Sequence, residues 1–340
     1  MYKGYRIVCV TPAGRRRYMR LLAPQILASP LVDRYDVWVN TEAPRDLAFF
    51  DALAKIDPRV RLVAQPDSAV NESFSIGAFH RLAVDADTIY IRFDDDVVWL
   101  QPDFFERHLD FRIANPDYLL TMPLIVNNAV CTALLEETGK VGLSRPVRYN
   151  AFDKIGWSDG QFAEAVHAMF LDLVEAGGWG RLHGGAYPIA LNRFSINCIC
   201  WFGHDIAAHP GMIGEEEEYD WTIKSSTATG RANCFATDTV VAHYAFFSQR
   251  SHMDRLPALA RYEAWLMREP ALAPMLTALA RSVADIDEAK YGDERDGGVI
   301  PLRPTLAERL RDWSRHYRDR VPKIWLTDGT PAVQTKDARR

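Results

Sequence analysis

Residues 88–99, Thr-Ile-Tyr-Ile-Arg-Phe-Asp-Asp-Asp-Val-Val-Trp, decide how this chain reads. An apolar strand ends there in three carboxylates, and the two-residue period of an extended chain puts Asp94 and Asp96 on the same side, where they can share one cation. Like charges at the edge of a core repel one another unless they are solvated or neutralised, and a divalent metal carrying a diphosphate is one efficient neutraliser. Oxygen ligands favour Mg2+ or Mn2+ over zinc. For a triplet standing alone, a polar turn after a strand is the competing reading.

The surroundings supply context. Upstream, 6–10 reads as a strand, 11–14 as a loop and 15–27 as a helix, followed by strand 35–40, helix 44–55, strand 60–64 and helix 71–84. Strands alternating with helices predict an α/β fold with right-handed crossovers and a mainly parallel sheet, its ligands lying beyond the carboxyl ends of the strands. Downstream, 102–115 reads as a helix, 118–126 as extended, 157–175 as a long helix ended by Gly177 and Gly178, and 196–202 and 240–244 as buried strands. The glycine-rich segment 178–185, with Trp179 and His183, is expected to be a loop able to cover a substrate. Past residue 254 the character turns helical, with a Gly/Asp-rich linker at 292–298 and a disordered tail from 332. In the last helix Leu306, Leu310, Trp313 and Tyr317 share a face among arginines, which suits packing on this chain, a second copy, or an anionic membrane surface.

Composition narrows the class. The chain has 340 residues, 48% of them hydrophobic, enough for a large core without covalent staples. Its five cysteines are odd in number and scattered, which argues against a disulfide framework and, with no long apolar leader, for a cytoplasmic protein. Cys198 and Cys200 lack a second ligand pair for zinc and read as buried strand residues. A formal net charge of -5 argues against broad nucleic-acid binding.

A second acidic run, Gly-Glu-Glu-Glu-Glu-Tyr-Asp-Trp at 214–221, precedes Gly230 and then Val-Val-Ala-His at 240–243. On their own these read as a solvated acidic face and a core histidine. In this order, after Asp94-Asp95-Asp96, the series resembles the GT-A glycosyltransferases, and within them the inverting family 2 enzymes. It departs from them in carrying Glu218 where aspartate is usual. The resemblance spans about 6–250 and implies a GT-A (Rossmann-like) mixed, mainly parallel sheet flanked by helices. Residues 1–254 would be the catalytic domain, with a nucleotide-sugar half to about 126 and an acceptor half beyond it, and 255–340 a helical extension.

The resemblance also implies roles. Asp96 would bind Mn2+ or Mg2+ with Asp94 and His243, and Asp94 and Asp95 would touch the donor, a nucleotide-diphosphate sugar with UDP-sugars first. Glu218, or Glu217 one register away, would take the acceptor proton. The acceptor would be a glycan or a lipid-linked saccharide, and direct displacement would invert the anomeric centre. Loops after the first strands nominate Thr11, Arg15 and Glu42 for the nucleotide, and Arg81 for phosphate. Trp179, Trp201 and Trp221 read first as core residues, with stacking on sugars as their functional reading, and Asn127 and Asn128 are nominated for hydroxyl contacts against a turn role. Two rivals remain: a sugar-nucleotide pyrophosphorylase, although 11–15 holds a single glycine, and a non-catalytic carbohydrate-binding protein on the same frame. The phosphate-loop signature of phosphotransferases is missing.

Overall fold

A computed structural model describes residues 1–67, 70, 72–289 and 321–327. Its strands are β1 (Arg6–Ala13), β2 (Arg34–Val39), β3 (Val60–Val63), β4 (Thr88–Phe93), β5 (Val97–Leu100), β6 (Thr121–Val126), β7 (Val141–Leu143), β8 (Ala186–Ile189), β9 (Cys198–Phe202), β10 (Asn233–His243) and β11 (Ile324–Leu326). One sheet runs β3-β2-β1-β4-β9-β6-β10-β5, with β8 also paired to β10. β7 and β11 form a separate antiparallel pair.

The first four strands of that order are mutually parallel. β9 enters antiparallel between β4 and β6, and β6 and β10 are parallel again. The architecture is therefore the expected α/β one, a mixed and mainly parallel sheet covered by helices. β4 is buried along its whole length and β1 at every position after Arg6, the unbroken apolar pattern of strands covered on both faces. Helices α1 (Arg16–Leu27) and α2 (Pro44–Ile56) make the first crossovers, and α3 (Phe104–Ala114) packs on β10. Next come α4 (Ala129–Glu137) and α5 (Gly160–Glu175). The helix Ala258–Leu266 packs on α5, and Ala273–Glu288 on α1 and α2. The last helix, the linker at 292–298 and the tail lie outside the described residues. Among the described residues no helix is long and apolar enough to cross a membrane.

β1 runs on to Ala13, so the loop read over 11–14 is mostly strand, and two further elements differ from the sequence reading. The helix expected over 71–84 is a 3-10 segment, Glu72–Leu82. Tertiary contacts fix it: Phe79 stacks on Trp38 at 5.2 Å, and a Cβ on Gly77 would come within 1.8 Å of the Gly214 carbonyl oxygen. The long helix starts at Gly160 and not at 157, because the Asp159 carboxylate accepts from the amides of Gln161 and Phe162 and caps it.

Candidate active site

β4 delivers the aspartates. Its apolar residues end at Phe93, and the chain turns at once so that β5 can pair with β10 in place of β4. Asp94, Asp95 and Asp96 therefore form a turn, not a strand continuation. The Asp94 amide donates to Asn197 O at 2.8 Å, and the Tyr244 amide to Asp96 O at 2.8 Å, which ties the turn to both neighbouring chain segments. The register of β10 against β5 sets His243 opposite Val97, beside Asp96.

One ligand atom from each of Asp94, Asp96 and His243 lies within 4.8 Å of the others. His243 Nε2 stands 3.3 Å from Asp96 Oδ1, yet that buried oxygen accepts no well-aligned hydrogen bond. The opposite ring nitrogen, Nδ1, is 3.3 Å from Asn127 O. A buried, unsatisfied carboxylate oxygen facing an imidazole nitrogen fits a divalent cation, which accepts this mixed oxygen and nitrogen donor set.

Cationic side chains hold the aspartates from the other side. Arg15 Nη1 donates to Asp96 Oδ2 at 2.9 Å and Arg250 Nη2 to the same oxygen at 3.3 Å. Burial alone would raise the Asp96 carboxyl, but the fields of Arg15, His243 and Arg250 win and hold it far below the usual carboxylate range. Asp94 is shifted the other way, since burial outweighs Arg92 and pushes it up. Arg92 donates to Asp94 Oδ1 at 2.9 Å, to Glu217 Oε2 at 3.1 Å and to Ile196 O at 2.6 Å, while Asn197 Nδ2 donates to Asp94 Oδ2 at 2.9 Å.

The second acidic run divides at its end. Glu217 turns inward, where His80 Nε2 lies 2.5 Å from Oε1, and the His80 ring is walled by Trp38, Trp201 and Trp221. Burial pulls on Glu217, but Arg92 and His80 hold its carboxyl below the usual range. Glu218 turns toward the surface. Arg193 Nε donates to its Oε1 at 2.6 Å, yet burial raises its carboxyl, and the nearby charge of Asp94 adds to the rise. Two adjacent glutamates thus acquire opposite environments, one locked into a buried ion cluster with its carboxyl lowered and one paired with Arg193 nearer the surface with its carboxyl raised.

No family model matches this chain, and no curated protein matches it either. Among solved structures, it is similar to the mannosyltransferase PcManGT from Pyrobaculum calidifontis in complex with GDP-Man and Mn2+, at 13% identity over 93% of this chain and 81% of that one, with a TM-score of 0.46. It is similar to glucosyl-3-phosphoglycerate synthase from Mycobacterium tuberculosis, solved with Mn2+, UDP and glucosyl-3-phosphoglycerate, at 15% identity over 79% and 81% of the two chains, with a TM-score of 0.43. A weaker likeness is to 4-diphosphocytidyl-2C-methyl-D-erythritol synthase from Anaerococcus prevotii, at 12% identity over 36% and 57%, with a TM-score of 0.28. At these values none of the three decides what the chain does, and the site itself has to carry the assignment.

Of the residues nominated from sequence, Asp94, Asp96 and His243 come together, with Arg15 beside them and Glu218 near Asp94. Others do not. Asp95 is held by Arg15, which donates to both its oxygens, and by the Gly14 amide at 2.9 Å, so it positions the loop after β1. Thr11 lies inside β1, fully buried, its Oγ1 accepting from Tyr35. Arg81 pairs with Asp67 on the surface, and Glu42 is exposed on the loop after β2. The three loops themselves do converge: Gly14 lies against Asn40 and Thr41, and Gln65 and Ser75 both donate to Asn40 Oδ1.

Trp201 and Trp221 are fully buried, and Trp179 packs edge-on against Trp99, so these rings belong to the core and not to a sugar site. Asn127 and Asn128 are buried too. Asn127 donates to Tyr244 O and Gln249, while Asn128 caps α4 and donates to Ser195 O and Asn197. The glycine-rich segment 178–185 contains a 3-10 turn and fastens to Gln101 and Asp238, at the far end of β5 from Asp96. Arg250, Arg92, Asn197 and Arg193 are site residues that sequence reasoning missed. An arginine inside an apolar strand, as Arg92 is, was the one available signal, because a buried charge requires a partner.

Proposed function

We propose that this protein is a divalent-metal-dependent glycosyltransferase that moves a sugar from a nucleotide-diphosphate donor, a UDP-sugar first, to an acceptor hydroxyl with inversion. One observation carries the reading: Asp94 and Asp96, on the turn after β4, and His243, from the end of β10, bring ligand atoms within 4.8 Å of one another at the rim of the sheet. That rim is where ligands bind in open α/β sheets, and the loops after β1, β2 and β3 gather beside it to receive a nucleotide.

Asp94, Asp96 and His243 would hold Mn2+ or Mg2+, and the ion would supply Lewis-acid stabilisation of the departing diphosphate. Arg15 and Arg250 converge on the same point and add positive charge where the diphosphate becomes more negative. Glu218 accepts the proton of the attacking hydroxyl, and its raised pKa suits a base that must hold that proton. Glu217 is left a positioning role, because its carboxylate is sealed against His80 and Arg92. Arg92 bridges Glu217 to Asp94 and so sets the orientation of a metal ligand.

The test is a thermal-shift screen of nucleotide sugars, each with Mn2+ and with chelator. A selective, Mn2+-dependent rise in Tm is expected for one donor class. Stabilisation by nucleoside triphosphates with sugar phosphates, and by no nucleotide sugar, would replace this reading with the pyrophosphorylase one.

A further inference from the structure

Among the described residues Phe247 is the most exposed aromatic side chain, at 70%, with Phe152 at 46%. Neither stands alone. His243 contacts the ring of Phe246 at 4.5 Å, Phe246 lies 6.1 Å from Trp157, and Trp157 meets Phe247 at 5.1 Å and Phe152 at 5.4 Å. The Arg193 guanidinium then lies over Phe152 at 4.8 Å and grips Glu218. A continuous band of rings thus runs from a candidate metal ligand to the candidate base, skirting the place where the acceptor must stand.

We infer that Phe152, Trp157 and Phe247 form the acceptor platform and that the acceptor is a saccharide, its pyranose faces laid on these rings with one hydroxyl presented to Glu218. The inference rests on the glycosyltransferase reading and names the acceptor class. In the step it serves, the hydroxyl oxygen bonds to the anomeric carbon, the bond from that carbon to the diphosphate breaks with its electron pair leaving on the diphosphate, and Glu218 takes the hydroxyl proton.

The chemistry of the band favours a sugar over the alternatives. Saccharides present flat C–H faces edged with hydroxyls, and they bind where aromatic faces alternate with fixed polar groups. Arg193, with Glu216 at 3.5 Å and Glu218 at 2.6 Å, supplies such an edge. The exposed Glu215 and Glu216 beside it repel an anionic bilayer. The rings meet edge to face, at 87° and 79°, which makes a stepped surface and not the closed trough an acyl chain requires.

The experiment probes an array of immobilised oligosaccharides with the full chain in Mn2+ buffer, and repeats it with Phe247→Ser and Phe152→Ser. Wild type should mark a subset of glycans, and each substitution should weaken that binding by roughly tenfold, the loss of one ring stack. Mn2+-dependent stabilisation by the nucleotide sugar should stay unchanged in both variants. An array left blank by wild type, binding that survives both substitutions, or binding to phosphatidylglycerol vesicles that the same substitutions abolish would each overturn the platform. Failure of the glycosyltransferase reading looks different: wild type would then show no Mn2+-dependent stabilisation by any nucleotide sugar.

Discussion

His243 Nε2 stands 3.3 Å from Oδ1 of Asp96, an oxygen that is buried and accepts no well-aligned hydrogen bond, while the other carboxylate oxygen of Asp96 receives both Arg15 and Arg250. One oxygen is thus claimed by the protein and the other is left facing the imidazole. That asymmetry leaves one oxygen open toward the imidazole, which the proposed metal site requires.

Asp96→Asn keeps the size of the side chain but removes the charge that a cation and two arginines share. Affinity for Mn2+ should fall about 100-fold or more, as expected for loss of a ligand in a three-residue site. Calorimetric titration with Mn2+ alone checks this, and unchanged affinity would withdraw Asp96 from the site.

Glu218→Gln should lower turnover by about 100-fold to 10,000-fold, the usual range for a general base, with donor affinity nearly intact. The base works only when ionised and burial raises its carboxyl, so activity should fall on acidification at a pH above the ordinary glutamate value of 4.5. A pH profile of kcat/KM locates the acidic limb. A limb that persists in Glu218→Gln assigns it to another group.

Glu217→Ala should destabilise the fold by about 1–3 kcal/mol, since it leaves Arg92 to Asp94 and takes the hydrogen-bond partner from buried His80. The pH dependence follows from both partners. Burial lowers the His80 pKa, so the unfolded chain takes up a proton below the ordinary value of 6.5 before the native state does, and stability falls as pH drops through that region. The depressed Glu217 carboxyl contributes stability that is present above its unfolded value of 4.5 and is lost as pH falls through its lower folded value. Urea unfolding from pH 7 down to about pH 3 should show the decline, and Glu217→Gln should flatten the part below the ordinary glutamate value of 4.5.

Gly77→Ala should detach the segment that carries Glu218, the proposed base. The added Cβ would come within 1.8 Å of Gly214 O, a backbone atom that cannot rotate away. A loss of about 1–3 kcal/mol is the usual cost of such overpacking. If the 3-10 segment and the 214–220 run separate, turnover falls while Mn2+ affinity at Asp94, Asp96 and His243 is preserved. An unchanged Tm would show that the two segments can part freely.

Several parts of this picture were legible in the residues. The alternation of apolar strands and helices up to residue 93 predicted the parallel half of the sheet, because each buried strand needs an unbroken apolar run and each crossover a helix. The three aspartates announced a charged rim. The 72–82 segment was misread because apolar spacing cannot separate 3-10 from α winding when packing against Trp38 and Gly214 sets the choice. The tryptophans read first as core residues, and Trp201 and Trp221 are buried there, but nothing in the sequence set the exposed Phe247 apart from them. Trp201 and Phe247 are equally apolar, and only the position of a residue on the finished surface decides whether its ring is core or platform.

The sequence by itself determined the strand-helix order and the stock of carboxylates, since local periodicity and charge are properties of neighbouring residues. The tertiary structure alone decided which of them act together. β10 pairs with β5 so that His243 arrives at Asp96, and the chain after Gly214 points Glu217 into the core and Glu218 outward. Convergence of groups so distant in sequence depends on register and packing, which no local run of residues encodes.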